Sequence, residues 1–285
     1  MPKIDYLRRS FTNQFNRARF KCPNCSGNRN CIADRKWVIT QLRRCMDCKL
    51  LFRTPTDDPA SNASFYEDKY AQGFTTEMPS DLTLEHLIAT NFAGTEKDYA
   101  YYIGILLQLG LQEDARVFDY GCSWGYGSYQ LGRAGFQVTS FEVAPSRRRF
   151  AREKLNVETI DDMQNVRGHF DCFFSAHVLE HVPSPRLTFQ YAMTLLKPGG
   201  LFVSFTPNGS KAHRVSPGWS RLWGEVHPNF IDDVFLDEAF ALAPRAFGAS
   251  PVNPSLPEDA SPKRLNSLEG SELFFAARKI GTAWS

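Results

Sequence analysis

Four of the seven cysteines form two pairs with the spacing of a metal site. Cys22 and Cys25 make one C-x-x-C, and Cys45 and Cys48 make a second one, with 19 residues between the pairs. Two residues between thiolates form a tight turn that aims both sulfur atoms at one ion, and four thiolates favour Zn²⁺. Four protein ligands leave no open position, so we predict a structural zinc ion in a small ribbon. Two disulfides would require an oxidising compartment, which nothing else in the sequence indicates.

The other three cysteines lack this pairing. Cys31 lies between the two pairs, and Cys122 and Cys172 lie in apolar, strand-like segments. We interpret all three as small buried hydrophobic residues rather than nucleophiles.

Two carboxylates follow predicted strands. Asp119 opens a glycine-rich turn that contains Gly121 and Gly125, and Glu142 ends the next strand. Glycines let the backbone approach a ligand closely, but their spacing, G-x-x-x-G-x-G, differs from the dinucleotide fingerprint and disfavours a pyrophosphate cofactor. A carboxylate at the position of Glu142 can accept hydrogen bonds from both ribose hydroxyls of an adenosine ligand.

Three histidines are placed where a general base would be useful. His177 and His181 follow the buried strand 170–176, and His227 lies in a loop after the next strand. Imidazole accepts protons near neutral pH, so His181 and His227 are candidate bases. The alternative, that each only shapes its loop through hydrogen bonds, stays open.

The elements that must position these residues alternate between strand and helix from residue 115 onward. This alternation predicts an α/β fold with a parallel sheet covered on both faces and with ligands at the carboxyl ends of its strands. Turn-forming residues over 54–64 predict a linker. We therefore expect a basic segment and zinc ribbon over 1–53, and a second domain over 65–285 whose helical lead-in is 65–114 and whose core is 115–208. Residues 252–264 are predicted to be a surface loop.

Composition excludes several classes of protein. Apolar residues are 42% and charged residues 22% of the 285, which is typical of a folded globular chain. No apolar run reaches the roughly 18 residues of a membrane span, and Arg8 and Arg9 interrupt any secretory signal, so a cytoplasmic location is expected.

Charge is uneven along the chain. Residues 1–53 carry thirteen Lys or Arg against three Asp, a net charge of +10, whereas the whole chain carries +2. This asymmetry indicates either a polyanion partner or a solvated surface around the metal. A second basic run, Arg147 to Arg149, is interpreted as a solvated helix face, with an anionic acceptor as the alternative.

Successive motifs of the chain resemble those of class I S-adenosylmethionine-dependent methyltransferases. They are VFDYGCSWGYGS, SFEV, FDCFFSAHVLEHVPSP and LLKPGGLFVSFTPN, and the resemblance covers about 115–208. It implies a Rossmann-like, doubly wound, mostly parallel seven-stranded sheet. The cysteine pairs followed by FYEDKY resemble a subgroup of small-molecule methyltransferases, many acting on sugars, that carry an N-terminal zinc ribbon.

The resemblance also implies roles for individual residues. Asp119 and Gly121 would hold the methionine end of S-adenosyl-L-methionine, and Glu142 would hold its ribose. The complete set of expected cofactor-binding residues is Asp119, Gly121, Cys122, Gly125, Glu142, Asp161, Asp162, Met163 and His177, of which Asp161 to Met163 would line the adenine. Ser123 stands where the family usually has the middle glycine of its first motif.

The leading expectation is methyl transfer to a small-molecule acceptor, with O-methylation favoured and with Tyr66 and Tyr70 closing the acceptor pocket beside the ribbon. An RNA methyltransferase is the second possibility, since Arg43, Arg44 and Trp37 could track phosphates and stack on a base. A non-catalytic scaffold on this fold is the third.

Overall fold

The computed structural model describes residues 2–36, 39–57 and 77–284. The N-terminal part comprises helix α1 (Pro2–Asn13) and an antiparallel sheet of β1 (Asn30–Lys36), β2 (Thr40–Cys45) and β3 (Leu51–Thr54). We call residues 17–57 of this part the cysteine module. Tyr66, Tyr70 and Trp37 lie outside the described residues.

The sheet of the cysteine module is completed by a strand from far along the chain. The short strand β9 (Asn229–Phe230) pairs antiparallel with β3, with Leu51 opposite Phe230. Leu42 and Trp223 pack with these two residues in one buried apolar cluster. The cysteine module is therefore joined to the segment that carries His227, while the predicted domain bounds remain a prediction.

The central sheet has the predicted doubly wound arrangement. Its eight strands among the described residues lie in the order β11-β10-β12-β8-β7-β4-β5-β6. Their bounds are β4 (Arg116–Tyr120), β5 (Gln137–Phe141), β6 (Thr159–Ile160), β7 (Phe170–Ala176), β8 (Leu196–Pro207), β10 (Arg245–Ala249), β11 (Pro262–Arg264) and β12 (Glu272–Arg278). Strand β12 runs antiparallel to β8 and β10, and the other pairs are parallel.

One strand of the central sheet was missed by the sequence analysis. Strand β11 lies at the end of the segment expected to be a loop, and it adds an edge strand to the seven that were predicted. Its three residues are exposed and too few to show an apolar alternation, so the sequence carries no signal for it.

Helices cover the faces of the central sheet. They are α2 (Asp81–Ala89), α3 (Ala100–Gln108), α4 (Tyr126–Arg133), α5 (Pro145–Leu155), α6 (Pro185–Leu195) and α7 (Asp233–Ala239). Within the helical lead-in expected over 65–114, Asn91 and Phe92 have positive φ and lie between α2 and α3, which are therefore separate helices. In the described part of the chain, we find no helix with the length and apolar character of a membrane span.

Candidate active site

The four paired cysteines converge. The Sγ atoms of Cys22 and Cys48 lie 3.6 Å apart and those of Cys25 and Cys45 lie 3.5 Å apart, and all four lie within 4.8 Å of one another. A tetrahedral zinc site with Zn–S bonds of about 2.3 Å separates its sulfur atoms by about 3.8 Å. A disulfide would need about 2.05 Å. The thiolates therefore fit Zn²⁺ and are not bonded to one another.

The turns that carry these cysteines have matching geometry. Ser26 and Lys49 each follow the second cysteine of a pair, and their φ angles are +61° and +63°. Ser26 donates its N–H to the Cys22 carbonyl at 2.8 Å, and Lys49 donates to the Cys45 carbonyl at 3.1 Å. Each C-x-x-C is thus folded into a tight turn that aims both sulfur atoms inward.

The remaining cysteines differ from one another. Cys122 and Cys172 are buried as predicted, and burial raises the pKa of both thiols well above the usual value. The prediction for Cys31 is wrong, since this residue is exposed. It lies on β1 at the open edge of the module's sheet, where burial would require another layer.

The turn after β4 brings the backbone close to its neighbours. Gly121 has φ +86°, and a Cβ there would lie 2.5 Å from a methyl carbon of Val178. Gly125 has φ +88°, and its Cβ would lie 2.9 Å from that of Ala151. Both glycines are therefore required by the packing of this turn as well as by backbone conformation.

Glu142 lies at the carboxyl end of β5 and is 3% exposed. One carboxylate oxygen accepts the N–H of Ala144 at 2.8 Å, and the other accepts the N–H of Ser123 at 3.0 Å. Burial raises the pKa of this carboxyl, although the two N–H groups and the nearby Arg147 favour the anion. Each oxygen keeps a lone pair for a further donor.

Asp119 lies beneath the turn rather than in the cavity wall. Its carboxylate accepts the hydroxyl of Ser128 at 2.6 Å, and Ser140 donates to the Ser128 hydroxyl at 2.9 Å. Burial raises the pKa of Asp119 to about 6. The side chain thus holds the start of α4 against β4, and Cys122 and Gly125 likewise support the turn without lining the cavity.

The segment after β6 forms another wall of the same cavity. Asp161 pairs with Arg148 at 2.9 Å, and Asp162 caps a short 3-10 helix by accepting the N–H of Gln164 at 2.8 Å. Both aspartates and Met163 face the cavity that Gly121 and Glu142 also line.

His181 and His227 are in contact, with ring centroids 4.6 Å apart and planes at 70°. The Nδ1 atom of His181 lies 2.8 Å from the Val226 carbonyl oxygen, and that of His227 lies 2.8 Å from the Leu222 carbonyl oxygen. Each Nδ1 therefore carries a proton that it donates, and in the neutral ring the lone pair is on Nε2. His181 lines the cavity, and His227 packs beside it.

The carboxylate of buried Glu180 lies next to the rings of His181 and His177. Its Oε1 lies 3.8 Å from Nε2 of His181 and 3.5 Å from Nδ1 of His177, and its Oε2 accepts the Thr206 hydroxyl at 3.0 Å. Burial and the nearby His227 lower the pKa of His181, and together they outweigh the opposite effect of Glu180. The resulting pKa is about 4. His181 is thus neutral near pH 7.

His177 lies away from the cavity. Its Nε2 contacts Oε1 of Glu272 at 2.8 Å. The hydrogen bonds and charges of Glu180 and Glu272 raise the pKa of His177 to about 10. Among the described contacts, those of His177 join β7 to β12 rather than face the cavity, so we treat it as a structural ion-pair residue.

The cavity has a volume of about 940 Å³ and lies between the cysteine module and the central sheet. Sequence reasoning missed the contribution of residues outside the motifs, because no local pattern marks them. They include Ala18, Arg19 and Pro23 from the module, and Leu187 and Tyr191 from α6. Cys22, one of the four clustered cysteines, also lines the cavity.

Comparison with known proteins identifies the family. A family model described as "Methyltransferase domain" matches residues 95–243, more than half of the chain. The chain belongs to this family, and the resemblance to class I S-adenosylmethionine-dependent methyltransferases is confirmed.

Two similar curated proteins are ubiquinone biosynthesis O-methyltransferases. The protein from Xanthomonas euvesicatoria pv. vesicatoria is 35% identical over 114 residues, which cover 36% of this chain and 46% of that protein. The protein from Xanthomonas axonopodis pv. citri is 37% identical over 101 residues, covering 32% and 42%. The chain thus spans less than half the length of these relatives.

Similar solved structures have lower sequence identity to this chain than the two curated proteins do. Magnesium protoporphyrin IX methyltransferase from Synechocystis PCC 6803 gives a TM-score of 0.48 at 13% identity, covering 78% of this chain and all of that one. Geranyl diphosphate C-methyltransferase from Streptomyces coelicolor gives 0.47 at 14% identity, covering 75% and 85%.

Proposed function

We propose that this protein is an S-adenosylmethionine-dependent O-methyltransferase that acts on a small-molecule acceptor and carries a structural zinc ion. The observation that supports it most strongly is that one cavity is lined both by Glu142, the carboxylate expected to bind a ribose, and by the imidazole of His181. Ligand pockets usually occupy about 300–1,000 Å³, so the volume of this one is sufficient for a cofactor and a small acceptor together. The identity of the relatives as O-methyltransferases supports an oxygen acceptor.

The residues that line the cavity would each contact a different part of the cofactor. Glu142 would accept the ribose hydroxyls, the segment from Asp161 to Met163 would contact the adenine, and Gly121 would let the backbone approach the cofactor. S-adenosylmethionine, when bound, supplies a methyl group activated by a sulfonium. The protein therefore has to align acceptor and donor and to exclude water.

The four cysteines Cys22, Cys25, Cys45 and Cys48 would hold zinc as a structural ion. Because thiolates occupy all four positions, no chemistry is assigned to the metal. Its effect on the reaction is indirect, through the cavity wall that the module forms.

We assign the role of general base to His181, with His227 as its positioning partner. An acceptor hydroxyl must lose its proton as oxygen bonds to the methyl carbon, and His181 is a histidine that lines the cavity where the acceptor would lie. Glu180 lies close enough to stabilise the imidazolium that forms.

This assignment predicts a pH profile. With a pKa of about 4, His181 is unprotonated over the working range, so kcat/KM should be independent of pH between about 5.5 and 8. His181→Asn should reduce kcat by about 100-fold while leaving S-adenosylhomocysteine affinity within about twofold, because the change removes no cofactor contact. A tenfold rise in kcat/KM per pH unit in this range would assign the proton to another group.

The alternative of RNA methylation has less support. Several basic side chains of the N-terminal segment already pair with carboxylates of the protein. Arg44 pairs with Asp232, Arg53 with Asp57, and Arg9 with Glu225 at 2.8 Å. Charge that is neutralised in this way attracts phosphates less.

Transfer of a labelled methyl group from S-adenosylmethionine into a cell extract tests the function directly. We expect label among small metabolites, and the matched control is the same protein with Glu142→Ala. Label in RNA would show that the acceptor is RNA rather than a small molecule. Absence of S-adenosylhomocysteine binding at millimolar concentration in calorimetry would contradict the methyltransferase proposal itself.

A further inference from the structure

The turn after β4 contains a serine in a backbone conformation that favours glycine. Ser123 has φ +55°, in the left-handed region. The residue is buried, with 8% of its surface exposed. This conformation is strained for a residue other than glycine, so contacts of the side chain or the backbone must offset the strain.

The hydroxyl of Ser123 contacts a buried cation. Nη1 of Arg147 donates to Ser123 Oγ, and Arg147 is 1% exposed. The sequence analysis placed Arg147 on a solvated face, which is wrong for this residue. It lies in the first turn of α5, and that turn faces the glycine-rich loop rather than solvent, whereas Arg149 is exposed.

The backbone of the same serine contacts the ribose-type carboxylate. Ser123 donates its N–H to Oε2 of Glu142 at 3.0 Å. Arg147, Ser123 and Glu142 therefore form one connected set, in which the arginine contacts the serine and the serine contacts the carboxylate. The positive charge of Arg147 also favours the anionic form of Glu142.

We propose that Ser123 and Arg147 are positioning residues that hold the Glu142 carboxylate in its cofactor-binding orientation. Serine provides a hydroxyl acceptor that glycine lacks. The buried guanidinium of Arg147 donates to this hydroxyl and so holds the turn after β4 in place. The side chain of Ser123 thus contacts Arg147 while its backbone N–H contacts Glu142. This inference rests on the proposed cofactor, since the effect it describes is on cofactor binding.

Calorimetric titration of the full-length, zinc-loaded protein with S-adenosylhomocysteine tests the inference. Ser123→Ala should weaken binding about tenfold, because it loses the hydroxyl contact and keeps the unfavourable φ. Ser123→Gly should weaken binding about threefold, since glycine adopts this φ without cost. Arg147→Lys should weaken binding about tenfold, because an ammonium lacks the planar fork. The exposed Arg149→Lys is the matched control and should change nothing.

Two combinations separate positioning from general stability. Ser123→Ala combined with Arg147→Lys should bind no more than about twofold more weakly than the worse single variant, because both break one contact. In a Glu142→Ala background, Ser123→Ala should change the affinity by less than about twofold. Thermal unfolding of each variant shows whether it is folded, and the Ser123 variants keep the test valid if Arg147→Lys does not fold.

Fully additive effects of the two substitutions would overturn the inference, and so would tighter binding by Ser123→Gly than by the wild type. Either result requires a wild type that binds S-adenosylhomocysteine. A wild type that fails to bind instead contradicts the proposed function, so the two failures are distinguishable.

Discussion

Glu142→Ala should lower the affinity for S-adenosylhomocysteine by about 100-fold and abolish methyl transfer. Each hydrogen bond from a ribose hydroxyl to a buried carboxylate contributes about 1.5 kcal/mol, and two of them correspond to about 100-fold. The substitution also removes the acceptor for the N–H groups of Ser123 and Ala144, which loosens the turn that the cofactor contacts. Calorimetry on the wild type and the variant measures this effect.

Two further substitutions make the result specific. Glu142→Gln retains the shape but presents an NH₂ group to one of the two backbone N–H donors, so an intermediate loss of affinity is expected. Glu153→Ala changes an exposed carboxylate on α5 and should leave the affinity unaltered. If Glu142→Ala binds within about threefold of the wild type, Glu142 does not hold the ribose.

Cys45→Ser should release the metal and eliminate turnover. Cys45 is fully buried, and a zinc site that loses a thiolate loses much of the roughly 10–16 kcal/mol that metal binding contributes to such modules. The damage extends to the cavity because β3 pairs with β9, and because Arg53 donates its N–H to the Pro228 carbonyl at 2.8 Å next to His227. We expect turnover to fall by more than about 100-fold, since even small displacements of positioning groups cost this much.

The matched control for this experiment is Cys31→Ser, which alters an exposed thiol of the same module outside the metal cluster. Metal analysis should give one zinc per chain for the wild type and Cys31→Ser and none for Cys45→Ser. The Tm of Cys45→Ser should fall by at least about 10 °C, because each kcal/mol lost lowers the Tm by roughly 2–4 °C in a chain of this size. Full zinc content and unchanged Tm in Cys45→Ser would contradict the metal assignment.

Features that depend on short spacings could be predicted from the sequence. Each C-x-x-C folds into a local turn, so the two sulfur atoms of one pair lie together however the rest of the chain folds. Glu142 could be located because parallel strands end at one edge of the sheet, and the residue that ends the second strand must lie beside the turn after the first. His181 was likewise placed at this edge by the buried strand before it.

Features that join residues distant in the chain could not be predicted from the sequence. The pairing of β3 with β9, which joins the cysteine module to the segment of His227, involves two residues of β9 and has no periodic signal. The burial of Arg147 likewise depends on which turn of α5 faces the glycine-rich loop. The cavity wall from Ala18 to Pro23 exists because the module packs over the sheet. Contacts of this kind are set by the packing of whole elements, and no local pattern encodes them.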